Sequence, residues 1–417
     1  MVQGGKNLAS NIQDKAKEAL GKFTRRQLME LDTCSHCALC TENCPAYNES
    51  KNVLHAPGVR ASKVLKLFDK KHSFWTKIFG EKEITEKDIA DLAESTYHCS
   101  LCGRCMESCP FGFQTHELWV RIREIVDAME ATPENVARLA DLLDENMNPY
   151  GLEPDTRLDW SLFTDLDDAP ELSEAEIAYF VGCTTAYKGA NHEVAFSICS
   201  ILENQGENWT LLGEDEWCCG APSIMAGKEE EAKKYAEHNV ELLESKKVKR
   251  VITGCAGCYR MFKFEYPVIL GRKPDFEVLH AVQYLNEQLS SGKLKVEKGN
   301  EKIIYHDPCE LGRLSGVIRE PREALSHLTS DMIEFDEHGV DSKCCGGGGL
   351  LQAVDNEMRL NIVKEKLDEA VEKGATILVS ACPACKLAFV DGVREFKHDI
   401  EVLDIHELVA KRLGVLG

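Results

Sequence analysis

Ten of the nineteen cysteines form one five-cysteine pattern written twice. The first copy is Cys183, the pair Cys218-Cys219, then Cys255 and Cys258. The second is Cys309, the pair Cys344-Cys345, then Cys382 and Cys385. The lone cysteines stand 126 residues apart, as do the pairs, and the two CxxC elements stand 127 apart. A duplication that keeps every cysteine in register demands two copies of one domain, each gathering thiols at one place. Thiols gathered in this way imply metal clusters and a chain that carries electrons.

Eight further cysteines form two runs near the N-terminus. Cys34-x2-Cys37-x2-Cys40-x3-Cys44-Pro45 recurs as Cys99-x2-Cys102-x2-Cys105-x3-Cys109-Pro110. This is the bacterial ferredoxin run for 4Fe–4S cubanes, in which each run lends its fourth cysteine to the other cluster. Cys34, Cys37, Cys40 and Cys109 are therefore assigned to one cubane, and Cys99, Cys102, Cys105 and Cys44 to the other. Zinc sites or unliganded buried cysteines are the alternative. His36 and His98 lie beside ligands and are read as outer or surface histidines rather than ligands. Cys199 falls outside both patterns and reads as a core thiol.

With 417 residues the chain can bury a core without crosslinks, so the cysteines are not needed as staples. The N-terminal stretch lacks an apolar signal core, and Arg25-Arg26 is read as a chance twin arginine. No apolar run is long enough to span a bilayer, so the expectation is a soluble, cytoplasmic protein. A formal net charge of −21 argues against nucleic acid as a partner. It suits solubility, or steering toward a basic redox partner.

The expected fold class is α/β with an all-α N-terminal part: a helical two-cluster domain over residues 1–146, an acidic linker over 147–175, and two duplicated βαβ domains over 176–299 and 300–417. Helices are expected at 59–71 and 86–94, with a long periodic stretch at 116–144. Leu8, Ile12, Ala16, Leu20 and Phe23 share one helical face, suited to packing on their own domain or docking elsewhere. In each copy a short apolar strand precedes each cysteine element, so all three can converge beyond the carboxyl ends of a parallel sheet. Five thiolates exceed the need of a cubane, and adjacent side chains are expected to diverge. An extra thiolate suits an opened cluster. Gly220 and Gly346 follow the pairs, and the run through Gly347 and on to Gly349 is expected either to open a cavity beside the second set or to form a flexible turn.

The whole chain resembles the catalytic iron–sulfur subunit of heterodisulfide reductase, of the type that fuses a ferredoxin domain to two CCG domains. The segments that carry the resemblance are Gln27-Leu28-Met29-Glu30-Leu31-Asp32, Gly213-Glu214-Asp215-Glu216-Trp217-Cys218-Cys219-Gly220, Cys255-Ala256-Gly257-Cys258, Tyr305-His306-Asp307-Pro308-Cys309 and Ser380-Ala381-Cys382-Pro383. The resemblance implies two cubane and two noncubane 4Fe–4S clusters and disulfide cleavage by single-electron steps. It also implies a membrane cytochrome b-type partner, with a flavoprotein or cytochrome c further along. The chain would then sit peripherally at the inner face of the cytoplasmic membrane through that partner. One departure stands out: where the family commonly has histidine after the second lone cysteine, this chain has Glu310.

The substrate site is expected at the second set, Cys309, Cys344, Cys345, Cys382 and Cys385, with His306, Asp307 and Glu310 to handle protons and Gly220, Gly346 and Gly347 lining the clusters. Arg313 reads as a structural ion pair or an anion contact, and Trp217 and Tyr187 as cluster packing. No GxGxxG follows a strand, so no flavin or nicotinamide of its own is expected. The other reading is a pure relay, with the chemistry on a partner flavoprotein 2-hydroxyacid (glycolate or lactate) dehydrogenase or at a quinone site. Anaerobically reconstituted protein should hold about sixteen irons per chain, four for each of four clusters. Iron analysis returning about half that would leave only the ferredoxin pattern loaded.

Overall fold

The computed structural model describes residues 4–163 and 170–416. The chain folds as two units, one made of the residues up to 138 together with 222–229 and 348–359, the other of the remainder.

The first unit is helical. Thr24 and Gln27 exchange side-chain and backbone hydrogen bonds to start the helix Arg25–Asp32, and Thr85 with Asp88 starts Glu86–Tyr97 in the same way. Pro57 opens Pro57–His72 at the position where its missing N–H costs nothing. The N-terminal helix Gly4–Gly21 buries Ala16 and Leu20, and Phe23 beyond it is buried too. That face packs within its own unit; the side chain of Leu8 lies outside the described residues. The periodic stretch at 116–144 is two helices, Thr115–Ala128 and Glu134–Asn146. Glu130 takes a left-handed conformation with φ 58°, and Pro133 cannot continue the ladder.

Arg123 ties this unit together. Fully buried on the helix Thr115–Ala128, it donates to the carbonyls of Thr96 at 3.2 Å, Cys99 at 2.7 Å, Met225 at 2.5 Å and Gly349 at 2.9 Å. Tyr97 adds a hydrogen bond to the Ala226 carbonyl at 2.8 Å. The segments 222–229 and 348–359, each just after a cysteine pair, are thereby held among the N-terminal helices. Gly349, with φ +62°, approaches so closely that an added Cβ would meet the Cys99 carbonyl at 2.5 Å.

The second unit holds two four-stranded parallel sheets. Strands β1 (Ile177–Phe180), β2 (Trp209–Thr210), β3 (Arg250–Thr253) and β4 (Glu277–His280) lie in the order β2-β1-β3-β4. Strands β5 (Ile303–His306), β6 (Met332–Glu334), β7 (Ile377–Ser380) and β8 (Glu401–Asp404) repeat it as β6-β5-β7-β8. β1, β5 and β7 are buried at every residue, as parallel strands covered on both faces require. Phe180 pairs with Thr253, and His306 with Ser380. The cysteines that follow β1 and β3, and those that follow β5 and β7, therefore emerge from neighbouring strand ends.

The stretch expected to be a linker is ordered structure over 147–163. It forms the 3₁₀ segment Pro154–Phe163, which buries Arg157 and Trp160, and the Cys218 N–H donates to the Met147 carbonyl at 2.9 Å. Residues 164–169 of that stretch lie outside the described residues. A 3₁₀ turn of this kind has neither the 3.6 nor the 2.0 period, so it is invisible to pattern reading.

Arg123→Met should lower the stability of the iron-loaded protein by at least about 3 kcal/mol, since four buried carbonyls lose their donor at about 1–3 kcal/mol each. Anaerobic denaturant unfolding checks this. Arg123→Lys should fall between, because three ammonium donors cannot serve four carbonyls.

Candidate functional site

Both N-terminal cysteine runs are turns that alternate left-handed residues. His36 (φ 51°) and Ala38 (φ 68°) flank Cys37, just as Leu101 (φ 53°) and Gly103 (φ 72°) flank Cys102. Such alternation turns successive backbone N–H groups inward and makes a concavity for an anionic cluster. A cavity of about 190 Å³ is lined by Cys34, Cys37, Cys40, Cys109 and Cys105. A smaller one of about 20 Å³ is lined by Cys44, Cys99, Cys102 and Cys105. The crossed sets are thus brought together: the fourth cysteine of each run stands with the first three of the other. Around the second set, Trp119 Nε1 donates to Cys105 Sγ at 3.3 Å and Thr115 Oγ1 lies 3.0 Å from the same sulfur. Nothing in the sequence pattern pointed to Thr115 or Trp119. Burial pushes the Cys40 and Cys105 thiols up to about 11, so without metal they stay protonated. His36 Nδ1 lies 3.9 Å from Cys34 Sγ, whereas His98 Nδ1 bonds the Glu94 carbonyl at 2.9 Å.

In the first α/β copy all five thiols touch in sequence. Cys183 contacts Cys218, Cys218 contacts Cys219, Cys219 contacts Cys258, and Cys258 contacts Cys255. The adjacent pair therefore does not diverge as expected. Gly220, with φ +83°, folds the chain back so that its own N–H reaches Cys218 and the Ala221 N–H reaches Cys219. The strand-end loop 180–184, which has no acid, base or histidine of its own, is met by a buried ion pair. Glu216 accepts the N–H groups of Val181 and Gly182 at 2.9 and 2.8 Å. Arg157 donates to Glu216 at 2.6 Å and to Cys183 Sγ at 3.6 Å, and stacks on Tyr187 at 5.4 Å. Burial works against the guanidinium charge, but Glu216 more than offsets it and holds Arg157 well above its usual range. Trp217 stacks on His238 at 3.6 Å, and Cys199 is a fully buried core thiol on the helix His192–Asn204.

The second copy repeats the frame with different neighbours. Gly346 N–H donates to Cys344 Sγ at 3.2 Å and Gly347 N–H to Cys345 Sγ at 3.4 Å, while Cys345 lies 3.2 Å from Cys385. Cys382 contacts Cys385 within its own set and Cys255 of the first copy. The two thiol sets therefore meet. Cys309, after β5, is partly exposed. His306 occupies the place that Phe180 holds in the first copy. It packs edge-on against Phe389 at 4.9 Å, as Phe180 does against Phe262 at 4.7 Å. Its ring lies against Cys345 and Cys385, and both ring nitrogens lack a hydrogen-bond partner. Burial lowers its pKa to about 3.

Three parts of this copy have partners the sequence did not show. Despite its burial, Asp307 is held ionised by Arg322, which bonds it at 2.7 and 2.8 Å, and it accepts the Gly339 N–H; it anchors a loop. Arg313 clamps the backbone carbonyls of Val340 and Ser342. The glycine run packs against backbone: a Cβ on Gly347 would meet the Ala384 carbonyl at 3.0 Å, and one on Gly348 the Ser100 carbonyl at 2.8 Å. Close packing explains these glycines. Glu310 faces Arg260 at 3.5 Å, and burial raises its pKa. The sequence reading missed Lys366, a buried ammonium seated over the Phe335 ring at 3.3 Å.

All nineteen cysteines are free thiols, and eighteen of them fall into these four groups. An all-sulfur donor set in a reduced chain fits iron–sulfur clusters. A helical dicluster domain joined to two cysteine-rich α/β copies defines an iron–sulfur oxidoreductase. The family model of the 4Fe–4S dicluster domain matches residues 30–113, and that of the CCG cysteine-rich domain matches 177–263 and 303–390. The D-type subunit of the dihydromethanophenazine:CoB–CoM heterodisulfide reductase of Methanosarcina acetivorans is 36% identical over 403 residues, covering 94% of this chain and 96% of that protein. The chain belongs to this D-type family of heterodisulfide reductase subunits. The EtfAB:quinone oxidoreductase of Syntrophomonas wolfei is 26% identical, covering 95% of this chain and 60% of that protein. A crystal structure of a hypothetical protein from Helicobacter pylori shares the fold, with a TM-score of 0.53 at 13% identity over 98% of this chain and 76% of that one.

Arg157→Met should destabilise the protein by about 3–5 kcal/mol, because Glu216 is left as an uncompensated buried charge. The double variant Arg157→Met, Glu216→Gln should recover part of that loss. Denaturant midpoints of the three proteins check the ordering.

Proposed function

We propose that this chain is the catalytic iron–sulfur subunit of a membrane-associated heterodisulfide reductase-like complex. It reduces a small-molecule disulfide to two thiols with two electrons and two protons, or runs the oxidation in reverse. The meeting of the two CCG thiol sets at Cys255 and Cys382 carries this reading, because it gives both sulfurs of one disulfide a thiol-lined place to lie. Cys34, Cys37, Cys40 and Cys109 would hold one cubane, and Cys44, Cys99, Cys102 and Cys105 the other. The sets of Cys183, Cys218, Cys219, Cys255 and Cys258, and of Cys309, Cys344, Cys345, Cys382 and Cys385, would each hold a noncubane 4Fe–4S cluster. Bound clusters supply single electrons and iron that sulfur can ligate.

The chain's own groups do the rest. N–H groups of Gly346 and Gly347 steady the charge on Cys344 and Cys345. Arg157 offsets charge at Cys183. The unpartnered nitrogens of His306 are placed to hydrogen-bond a sulfur, and Glu310 with Arg260 lies at the side of Cys309. Boundaries at 146, 175 and 299 would mark the evolutionary copies, while the chain's folding units are drawn differently.

No helix among the described residues is long and apolar enough to cross a membrane. Attachment would come through a membrane cytochrome b-type partner at the inner face of the cytoplasmic membrane, with electrons arriving from it, from a flavoprotein or from a cytochrome c. An apolar patch supports this: Phe74, Trp75, Ile78 and Phe79 are 66, 62, 56 and 77% exposed. The segment 57–82 around it carries seven Lys and Arg against two Asp and Glu in a chain of net charge −21. The quinone oxidoreductase relative supports a second reading, in which the chain relays electrons toward quinone.

The dithionite-reduced, iron-loaded protein should be reoxidised on adding a small disulfide, releasing two thiols for each two electrons. Reoxidation only by a quinone analogue with a membrane partner present would leave the relay. His306→Phe should fold normally, since phenylalanine fills the matching slot of the first copy, and should keep its iron. Loss of a hydrogen bond to a charged sulfur, about 1.5–3 kcal/mol, should lower disulfide turnover about 10- to 100-fold. Unchanged turnover would remove His306 from the chemistry.

A further inference from the structure

A second cluster of metal-binding side chains lies in the first unit and uses no thiol: His55, Glu94, His98 and Asp355. His55 Nε2 lies 3.0 Å from Glu94 Oε1, and His98 Nε2 lies 3.8 Å from Asp355 Oδ2. The two imidazoles stack with centroids 4.3 Å apart and 13° between their planes.

Hydrogen accounting fixes what these nitrogens present. Ser50 Oγ gives its one hydrogen to the Ala46 carbonyl at 2.8 Å and accepts the Asn52 N–H at 3.1 Å. Its 2.8 Å contact with His55 Nδ1 therefore makes that nitrogen the donor. His98 Nδ1 donates to the Glu94 backbone carbonyl at 2.9 Å, since a carbonyl only accepts. With Nδ1 donating in each ring, Nε2 is the nitrogen left to face a carboxylate. The Asn52 amide agrees: Leu54 N–H occupies its oxygen, which turns its NH₂ toward His55 Nε2 at 3.5 Å. Both Nε2 atoms thus face carboxylates. A cation among His55, Glu94 and His98, whose donor atoms all lie within 4.8 Å of one another, answers these contacts.

We propose that His55 Nε2, Glu94 and His98, whose donor atoms all lie within 4.8 Å of one another, bind one divalent first-row transition metal ion, with Asp355 drawn in from beside His98 Nε2 as the fourth ligand and Zn²⁺ the species their nitrogen and oxygen donors suit. The donor separations of 3.0 and 3.8 Å bracket the roughly 3.4 Å edge of a tetrahedron with bonds of about 2.0–2.1 Å. Nδ1–H bonds to Ser50 and to a backbone carbonyl are the outer contacts that orient ligating imidazoles. The ion would tie the turn Val53–His55 to the end of the helix Glu86–Tyr97 and to the segment 348–359. Cys44 Sγ lies 3.9 Å from the His55 carbonyl and Cys99 follows His98, so the tie would fix the two runs that share the second cubane.

The test uses the full-length, iron-loaded protein, purified anaerobically, supplied with Zn²⁺ and desalted. Elemental analysis should find one zinc per chain beside unchanged iron. Zinc-edge X-ray absorption should show nitrogen and oxygen donors at about 2.0–2.1 Å. His55→Ala and Glu94→Gln should weaken zinc binding at least tenfold with iron content kept. No retained zinc, or a sulfur shell at about 2.3 Å that places the ion on cluster cysteines, overturns the site. Should His55→Ala lose iron as well, Asp355→Asn decides, since this side chain is 33% exposed and Asn keeps its cap on Met358 N–H. Unchanged zinc affinity in that variant overturns the four-ligand assignment.

Discussion

Everything at the second unit's thiol sites depends on two parallel strands lying side by side at the centre of each sheet. β1 with β3, and β5 with β7, end in register, so the lone cysteine and the CxxC element leave the sheet at the same level. The cysteine pair then needs only to fold back from the neighbouring edge strand. The backbone does this with a left-handed glycine, Gly220 in one copy and Gly346 in the other. Each pair thereby turns two N–H groups onto its own sulfurs, an arrangement that favours charge on sulfur in a place closed to water.

Buried and half-buried arginines do much of the remaining positioning. Arg123 and Arg313 serve backbone carbonyls, Arg322 serves Asp307, and Arg157 serves Glu216 and a thiol. The planar, always charged guanidinium suits these tasks because it satisfies several acceptors in fixed directions. The chain's acidic surface and its arginine-pinned interior are therefore separate features. Net charge bears on partners and solubility, whereas these arginines set loop geometry around the sulfurs.

The two copies show how duplication allows divergence without loss of frame. Phe180 and His306 fill one slot against Phe262 and Phe389, so a polar ring has replaced an apolar one at constant shape. Ala221 opens the helix Ala221–Ala226 after the first pair, where the second copy has further glycines packed against backbone. The copies thus share donor atoms and differ in what faces them: a guanidinium at the first, an unpartnered imidazole at the second.

Cysteine spacing alone determined the class of fold, the duplication and the crossed pairing of the two N-terminal runs, because metal-ligand geometry tolerates little change in spacing and leaves a periodic trace. Central strands were legible for the same reason, being short apolar runs bounded by cysteine and glycine. The edge strands Glu277–His280 and Glu401–Asp404 were not, since four residues with a polar start carry no pattern. Tertiary structure alone decided which neighbours act on the sulfurs. Arg157 lies in an aperiodic 3₁₀ stretch, and Glu216 reads as one more acid in an acidic segment. Asp307 gave no sign of Arg322 beside it, and the glycine run none of Ala384 and Ser100 against it. Contacts between residues far apart in sequence leave no local signature, because each side chain is chosen for a partner the chain reaches only after folding.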